Sequence, residues 1–222
     1  MLRNEKYMGD TILQKSYTAD FLSKRRVMNN GALPKYHIKR DHEPIIDIET
    51  WEAVQAELER RGQYCKDYFT NVYAQRSEVN PFYAKIICGN YGNIYSRVKY
   101  TTRRGTKITK WRCSSCNKTD GHKVCSSRYV TDETFTKLFV MSWNEIVEHQ
   151  ADYQERWQKN IKSDDVLLRY KIKLVMKHAE AGTINEFDSA LMMAVMDHIT
   201  VFEDGRLKIR FYDGTEFEVA TE

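Results

Sequence analysis

The 222-residue sequence predicts an α+β fold in two parts, and three observations predict it. Apolar residues recur at helical spacing over residues 48–61 and again over 131–197. They alternate with period two from Pro81 to Cys113 and from Ile199 to Val219. All three prolines (Pro34, Pro44, Pro81) lie in the first 81 residues, so nothing interrupts the remainder. Strands and helices grouped in separate stretches, rather than in strict βαβ alternation, are the α+β pattern. The division expected is residues 1–62, a linker over 63–80, and residues 81–222, with a helical insertion at 131–197 and closing hairpins at 199–219.

Residues 2–8 read as a helix end stopped by Gly9. From Asp10 to Lys39 the chain is polar and basic, suited to short strands or an extended arm turning at Asn29-Asn30-Gly31. Trp51, Val54 and Leu58 share one face of a helix over 48–61, with Gly62 as its stop. Phe82–Ile87 is a strand candidate leading into Cys88. Asn93–Tyr100 and Lys107–Cys113 form a hairpin with Arg103, Arg104 and Gly105 at its tip. Thr131-Asp132-Glu133 starts a helix whose face is Phe135, Leu138, Phe139, Trp143 and Ile146. A second helix runs from Ser163-Asp164-Asp165 to about Gly182, and a third over about Asn185–Asp197. Gln150–Lys162 is polar and carries no sustained heptad. Two Asp-Gly turns, at 204–205 and 213–214, divide the end into a three-stranded meander.

Charge is segregated. The net charge is only +4, yet residues 1–40 hold nine Lys/Arg against three acids, and residues 81–128 hold eleven against one. The rest holds fifteen against twenty-seven. Two basic blocks on an acidic remainder point to a polyanion-binding face. Candidate phosphate or groove contacts are Lys15, Lys24, Arg25 and Arg26 on the arm. On the hairpin they are Arg97, Lys99, Arg103, Arg104, Lys107, Lys110 and Arg112. Arg97 and Lys99 alternate on one strand and Lys110 and Arg112 on its partner, so each pair shares a face. Asn93 and Gln14 are possible base readers, and Tyr95 and Tyr100 are packing or stacking residues. No apolar run reaches the ~20 residues a membrane helix needs, and no signal-peptide core follows Met1, so a cytoplasmic location is expected.

Four of five cysteines cluster: Cys88, Cys113, Cys116 and Cys125. In a reducing compartment this favours metal over disulfides. Structural zinc needs about four ligands in a tetrahedron, most often thiolates. Cys113-Ser-Ser-Cys116 is one knuckle. Cys88-Gly-Asn-Tyr91-Gly92 has the shape of another with tyrosine at the second cysteine position. Zinc is therefore expected on Cys88, Cys113, Cys116 and Cys125, with His122 as a substitute and Cys65 as a bystander.

These stretches resemble a family. Leu2–Asp10, with its Asn-x-x-Tyr-x-Gly pattern, the basic run Thr11–Arg26, His42–Asp47 with the Trp51 helix, the segment Phe82–Cys125, and Val201–Thr215 together resemble the C-terminal DNA-binding part of the large serine recombinases of transposons and phage integrases. The resemblance covers most of the chain. It implies a small α/β remnant of the recombinase domain followed by a zinc β-ribbon domain with inserted helices and a C-terminal β-meander. It implies double-stranded DNA at attachment sites as the partner, self-association through the full-length recombinase, and a catalytic serine domain not present in this chain, which itself would cut no DNA. The family's ligands would fall at Cys88, position 91, Cys113 and Cys125, so Cys116 is the candidate replacement at the site that Tyr91 spoils. In place of the family's long coiled coil, short helices packed on the ribbon are expected.

Two rivals stand beside this. A zinc-ribbon interaction module would offer its basic faces to an acidic protein. A zinc hydrolase or nuclease would need clustered carboxylates or histidines. Asp164-Asp165 reads instead as a cap, and His37 and His42 sit five apart in an irregular segment.

Overall fold

A computed structural model of the chain describes residues 2–68, 80–101, 103, 105–116 and 125–220. Contacts divide the chain into two compact units, Met1–Glu59 and Arg60–Glu222.

The first unit is built on polar hubs. A 3-10 turn at Glu5–Met8 is capped by Asn4 and ended by Gly9, whose φ of 91° is left-handed, as its place at a helix stop requires. Strands β1 (Thr11–Leu13) and β4 (Tyr36–Ile38) pair antiparallel, as do β2 (Ser16–Thr18) and β3 (Arg26–Met28). The arm is therefore two small ladders. Ala53 is the unit's only buried apolar side chain among the described residues, whereas Glu5, Asp10 and Asn29 are all buried. Each of these has its partners. Glu5 accepts from Ile12 N and Lys15 Nζ. Asp10 bonds His37 Nε2 and accepts from Arg40 N. Asn29 bonds Gln14, Gly31 and Leu33 of the backbone, so the predicted turn is held by its own side chain.

Helix α1 spans Ile48–Asp67, with Asp47 accepting from Thr50 at its start. It runs through Gly62 instead of stopping there. Gly62 does not take a left-handed φ, and Tyr64 beyond it donates its hydroxyl to Ala84 O. That tertiary anchor extends the helix into the expected linker, and residues 69–79 lie outside the described ones.

In the second unit, β5 is the short strand Ile86–Cys88, preceded by turns. Strands β6 (Tyr95–Thr101) and β7 (Lys107–Cys113) form the expected ribbon. Helices α2 (Asp132–Glu148), α3 (Gln150–Ile161), α4 (Val166–Glu180) and α5 (Ser189–Val195) follow. Thr131, Asp165 and Asp188 cap α2, α4 and α5 with side-chain oxygens. The meander is β8 (Met196–Val201), β9 (Arg206–Phe211) and β10 (Glu216–Ala220). Its sheet has the order β10-β9-β8-β5, and β5 joins β8 in parallel, with Ile86 opposite Ile199.

One hydrophobic core joins ribbon, helices and sheet. Trp111 of β7, Phe135 and Phe139 of α2, and Phe211 of β9 are all essentially inaccessible within it, and so are Cys88, Cys113 and Cys125. Trp111 meets Phe135 edge-on, with ring centroids 6.2 Å apart. The helices thus pack on the ribbon. No helix among the described residues is long and apolar enough to cross a membrane.

Candidate metal centre and nucleic-acid face

Three elements deliver three thiols to one point. Cys88 ends β5, Cys113 ends β7, and Cys125 opens the segment leading to α2. Their Sγ atoms all lie within 4.8 Å of one another, and all three residues are buried. The broken knuckle keeps its turn: Gly92 N donates to Cys88 O at 2.8 Å and Gly92 has a φ of 68°. Asn93 donates to Ser115 Oγ, tying the two knuckles together. Glu203 accepts from Asn90 and from Ser126, clamping both ligand-bearing loops to the β8–β9 turn.

Cys116 is not in the trio. Its Sγ donates to Cys125 O at 3.1 Å, so it braces the loop. The 3-10 turn over Ser114–Cys116 directs Cys113 and Cys116 to different neighbours, which the Cys-x-x-Cys spacing does not reveal. Tyr91 is half-exposed. His122 and Arg104 lie outside the described residues.

Burial pushes the Cys113 thiol up to about 12. Burial also opposes ionisation of Cys125, but hydrogen bonds from Ser127, Cys113 and Cys88 together hold that thiol below its ordinary value. A divalent ion at the centre would supply the charge that lets all three ionise. The donor set fits zinc in kind. Cys88 and Cys125 Sγ stand 3.8 Å apart. Two thiolates at about 2.3 Å from one tetrahedral zinc stand about that far apart.

Gly89 is needed for a steric reason. A Cβ there would sit 2.6 Å from the Phe202 ring. Gly89→Ala is expected to cost about 1–3 kcal/mol through overpacking, measured by urea unfolding. A cost near zero would mean that the knuckle is free to shift away from β8.

The basic residues divide by the ribbon's register. Residues directly opposite in an antiparallel pair share a side. Arg97 faces Trp111 and Lys99 faces Thr109, on the side that carries the buried Trp111, with both cations themselves exposed. Lys110 faces Val98 and Arg112 faces Ser96, on the outer side, where both are half-buried and Arg112 bonds Tyr100 and Tyr129. Each pair does share a face within its strand, but the two pairs are on opposite faces of the ribbon. Arg97 is bound to Asp132 at 2.7 Å, and Asp132 also accepts from Trp111 Nε1. Its charge therefore locks the ribbon to α2. On the outer side, Tyr100 and Tyr129 meet edge-on at 5.8 Å. With Ile108 and Lys110 they line an open groove of about 300 Å³. Arg103 and Lys107 are exposed near the tip.

In the first unit, Lys15 is paired with Glu5 at 2.5 Å. Lys24, Arg25 and Arg26 are exposed around the β2–β3 turn, beside Phe21 and Leu22, and Arg26 Nε donates to Ser16 Oγ.

Residues 1–61 match the model of the Recombinase family. The match takes in the 3-10 turn, the two small ladders and most of α1. No curated protein sequence matches the chain significantly. Among solved structures, the chain is similar to a crystal structure of an LSR–DNA complex, LSR denoting a large serine recombinase. The TM-score is 0.50 at 16% identity, covering 95% of this chain and 72% of that one. The likeness establishes a shared α+β fold that continues beyond residues 1–61, through the ribbon, helices and meander. It agrees with the resemblance read from the sequence.

Proposed function

We propose that the chain binds double-stranded DNA at recombination attachment sites, as the DNA-binding part of a site-specific serine recombinase. The observation that carries this reading is the Recombinase-family match at residues 1–61, joined in one chain to a ribbon whose outer face is basic and aromatic. The fold likeness to a recombinase in complex with DNA supports it. Catalysis belongs, in this reading, to sequence outside these residues, and the chain supplies binding.

Zinc on Cys88, Cys113 and Cys125 would hold the ends of β5 and β7 at one point and so set the ribbon's pose. The ion's chemistry there is structural. Lys110 and Arg112 on the outer face, with Arg103 and Lys107 near the tip, contact phosphate, and Tyr100 and Tyr129 present an apolar wall to sugar or base edges. In the first unit, Lys24, Arg25 and Arg26 do the phosphate work. Lys15 and Arg97 are committed to Glu5 and Asp132, and their part is to hold the basic elements in shape.

The test is fluorescence anisotropy with a ~40-base-pair duplex over ~50–300 mM salt, a range in which phosphate-dominated binding changes steeply. Lys110→Ala with Arg112→Ala should weaken binding and reduce the salt slope by about one per lost phosphate contact. Lys99→Ala, on the opposite face, should leave the slope unchanged. Equal losses from both variants would remove the outer-face assignment. No binding at the lowest salt would favour an acidic protein as the partner.

A further inference from the structure

We infer that the fourth donor of the metal centre is the hydroxyl of Ser127, making a site of three sulfurs and one oxygen. This rests on the reading of the thiol trio as a metal site. Ser127 is 2% exposed. Its Oγ lies 3.3 Å from Cys88 Sγ and 3.0 Å from Cys125 Sγ. It thus shares the buried space of the trio, with the Tyr95 hydroxyl behind it as its own hydrogen-bond partner. Around one tetrahedral zinc, a thiolate and an oxygen donor stand about 3.6 Å apart. The observed separations meet that with an outward shift of a few tenths of an ångström.

The local chain explains the placement. Cys125-Ser126-Ser127 belongs to neither helix nor strand. Cys125 and Ser127 face each other at the centre, Sγ to Oγ, while Ser126 between them turns outward to Glu203. Two nearer candidates, at the spoiled position and in the second knuckle, are turned elsewhere. Tyr91 is 49% exposed. Cys116 spends its thiol on Cys125 O. The cysteine missing from the first knuckle is thus made good from the far side of the site, by a harder and weaker donor. A mixed sphere of this kind holds zinc less tightly than four thiolates, since soft thiolate ligands favour it more than a neutral hydroxyl does.

The experiment loads the full chain with Co(II) and reads the sulfur-to-cobalt charge-transfer band, whose intensity follows the number of bound thiolates. Circular dichroism confirms the fold of each variant. The parent should show the intensity of three thiolates. Ser127→Cys should raise it by about one third and tighten zinc binding roughly tenfold or more. Cys116→Ser and His122→Ala should leave both the band and the ligand-field spectrum unchanged. Loss of one thiolate in Cys116→Ser, a changed ligand field in His122→Ala, or an unaltered band in Ser127→Cys would each overturn the assignment while leaving the metal reading intact. A parent with no charge-transfer band would overturn both. The DNA titration is read separately on the same samples, so a failure of the DNA-binding reading is distinguishable from either.

Discussion

Cys113→Ser is expected to strip zinc from the second unit and lower its unfolding free energy by on the order of 5 kcal/mol. For a structural zinc the metal-binding free energy is folding free energy. The position makes the loss large. Cys113 ends β7, the strand that carries both Trp111 of the core and Lys110 and Arg112 of the outer face. The three thiols belong to the same core as Phe135, Phe139 and Phe211, so loss of an ion held there would loosen more than a peripheral loop. The measurement is zinc content together with urea unfolding, repeated on the parent after chelation. Parent and chelated protein of equal stability would mean that the three thiols pack as small buried side chains with no metal. DNA affinity should fall with stability, because the ribbon's pose depends on the site.

Asp213→Ala is expected to cost about 2–3 kcal/mol, the upper end for leaving a buried donor unsatisfied, since its ion-pair partner Arg156 is 41% exposed and can turn to water. The Asp213 side chain is wholly buried and collects four donors. Arg156 Nη2 donates at 3.0 Å, Trp157 Nε1 at 2.8 Å, Thr215 Oγ1 at 2.5 Å and Thr215 N at 3.0 Å. Removing the carboxylate leaves the indole N–H unsatisfied in the core and takes a charge partner from Arg156. Trp157 is the sole buried residue of α3, so this one contact set docks that helix. The variant should expose Trp157, seen as a red-shifted fluorescence and a lower urea midpoint. A loss below about 1 kcal/mol would mean that α3 is held by its contacts with α4 alone.

The Asp213 hub shows where sequence reading stops. Asp213-Gly214 was legible as a turn because Asp-Gly is a local backbone preference. That the same carboxylate binds an indole on α3 was not legible, because Arg156 and Trp157 are brought to it only by packing. For the same reason α3 carried no signal of its own: a polar helix with one buried tryptophan shows little periodicity. Gly62 was legible as a helix stop and was overridden by the anchor of Tyr64 on Ala84. The pairing of β5 with β8 joins segments separated by the whole ribbon and four helices, and nothing local encodes it.

The metal centre divides in the same way. The cysteine cluster, the spoiled position at Tyr91 and the turn at Gly89–Gly92 were visible in the residues. Cys116 was the nearest thiol in sequence, but its position in the 3-10 turn sends it to the Cys125 carbonyl, and Ser127 has the place beside the trio. The basic pairs were each on one face, as alternation requires, but the register across the ribbon put them on opposite faces.

By itself, then, the sequence determined the α+β class, the ribbon, the capped helices, the meander, the charge segregation and the likeness of its first part to the Recombinase family. Each of these is written in neighbouring residues, through period, cap, turn chemistry or motif. Only the tertiary structure decided which thiols converge, which cations are already paired, and which side of the ribbon each basic pair takes. Those outcomes depend on side chains far apart in the chain competing for the same space and the same hydrogen-bond partners, and that competition is settled only when the core closes.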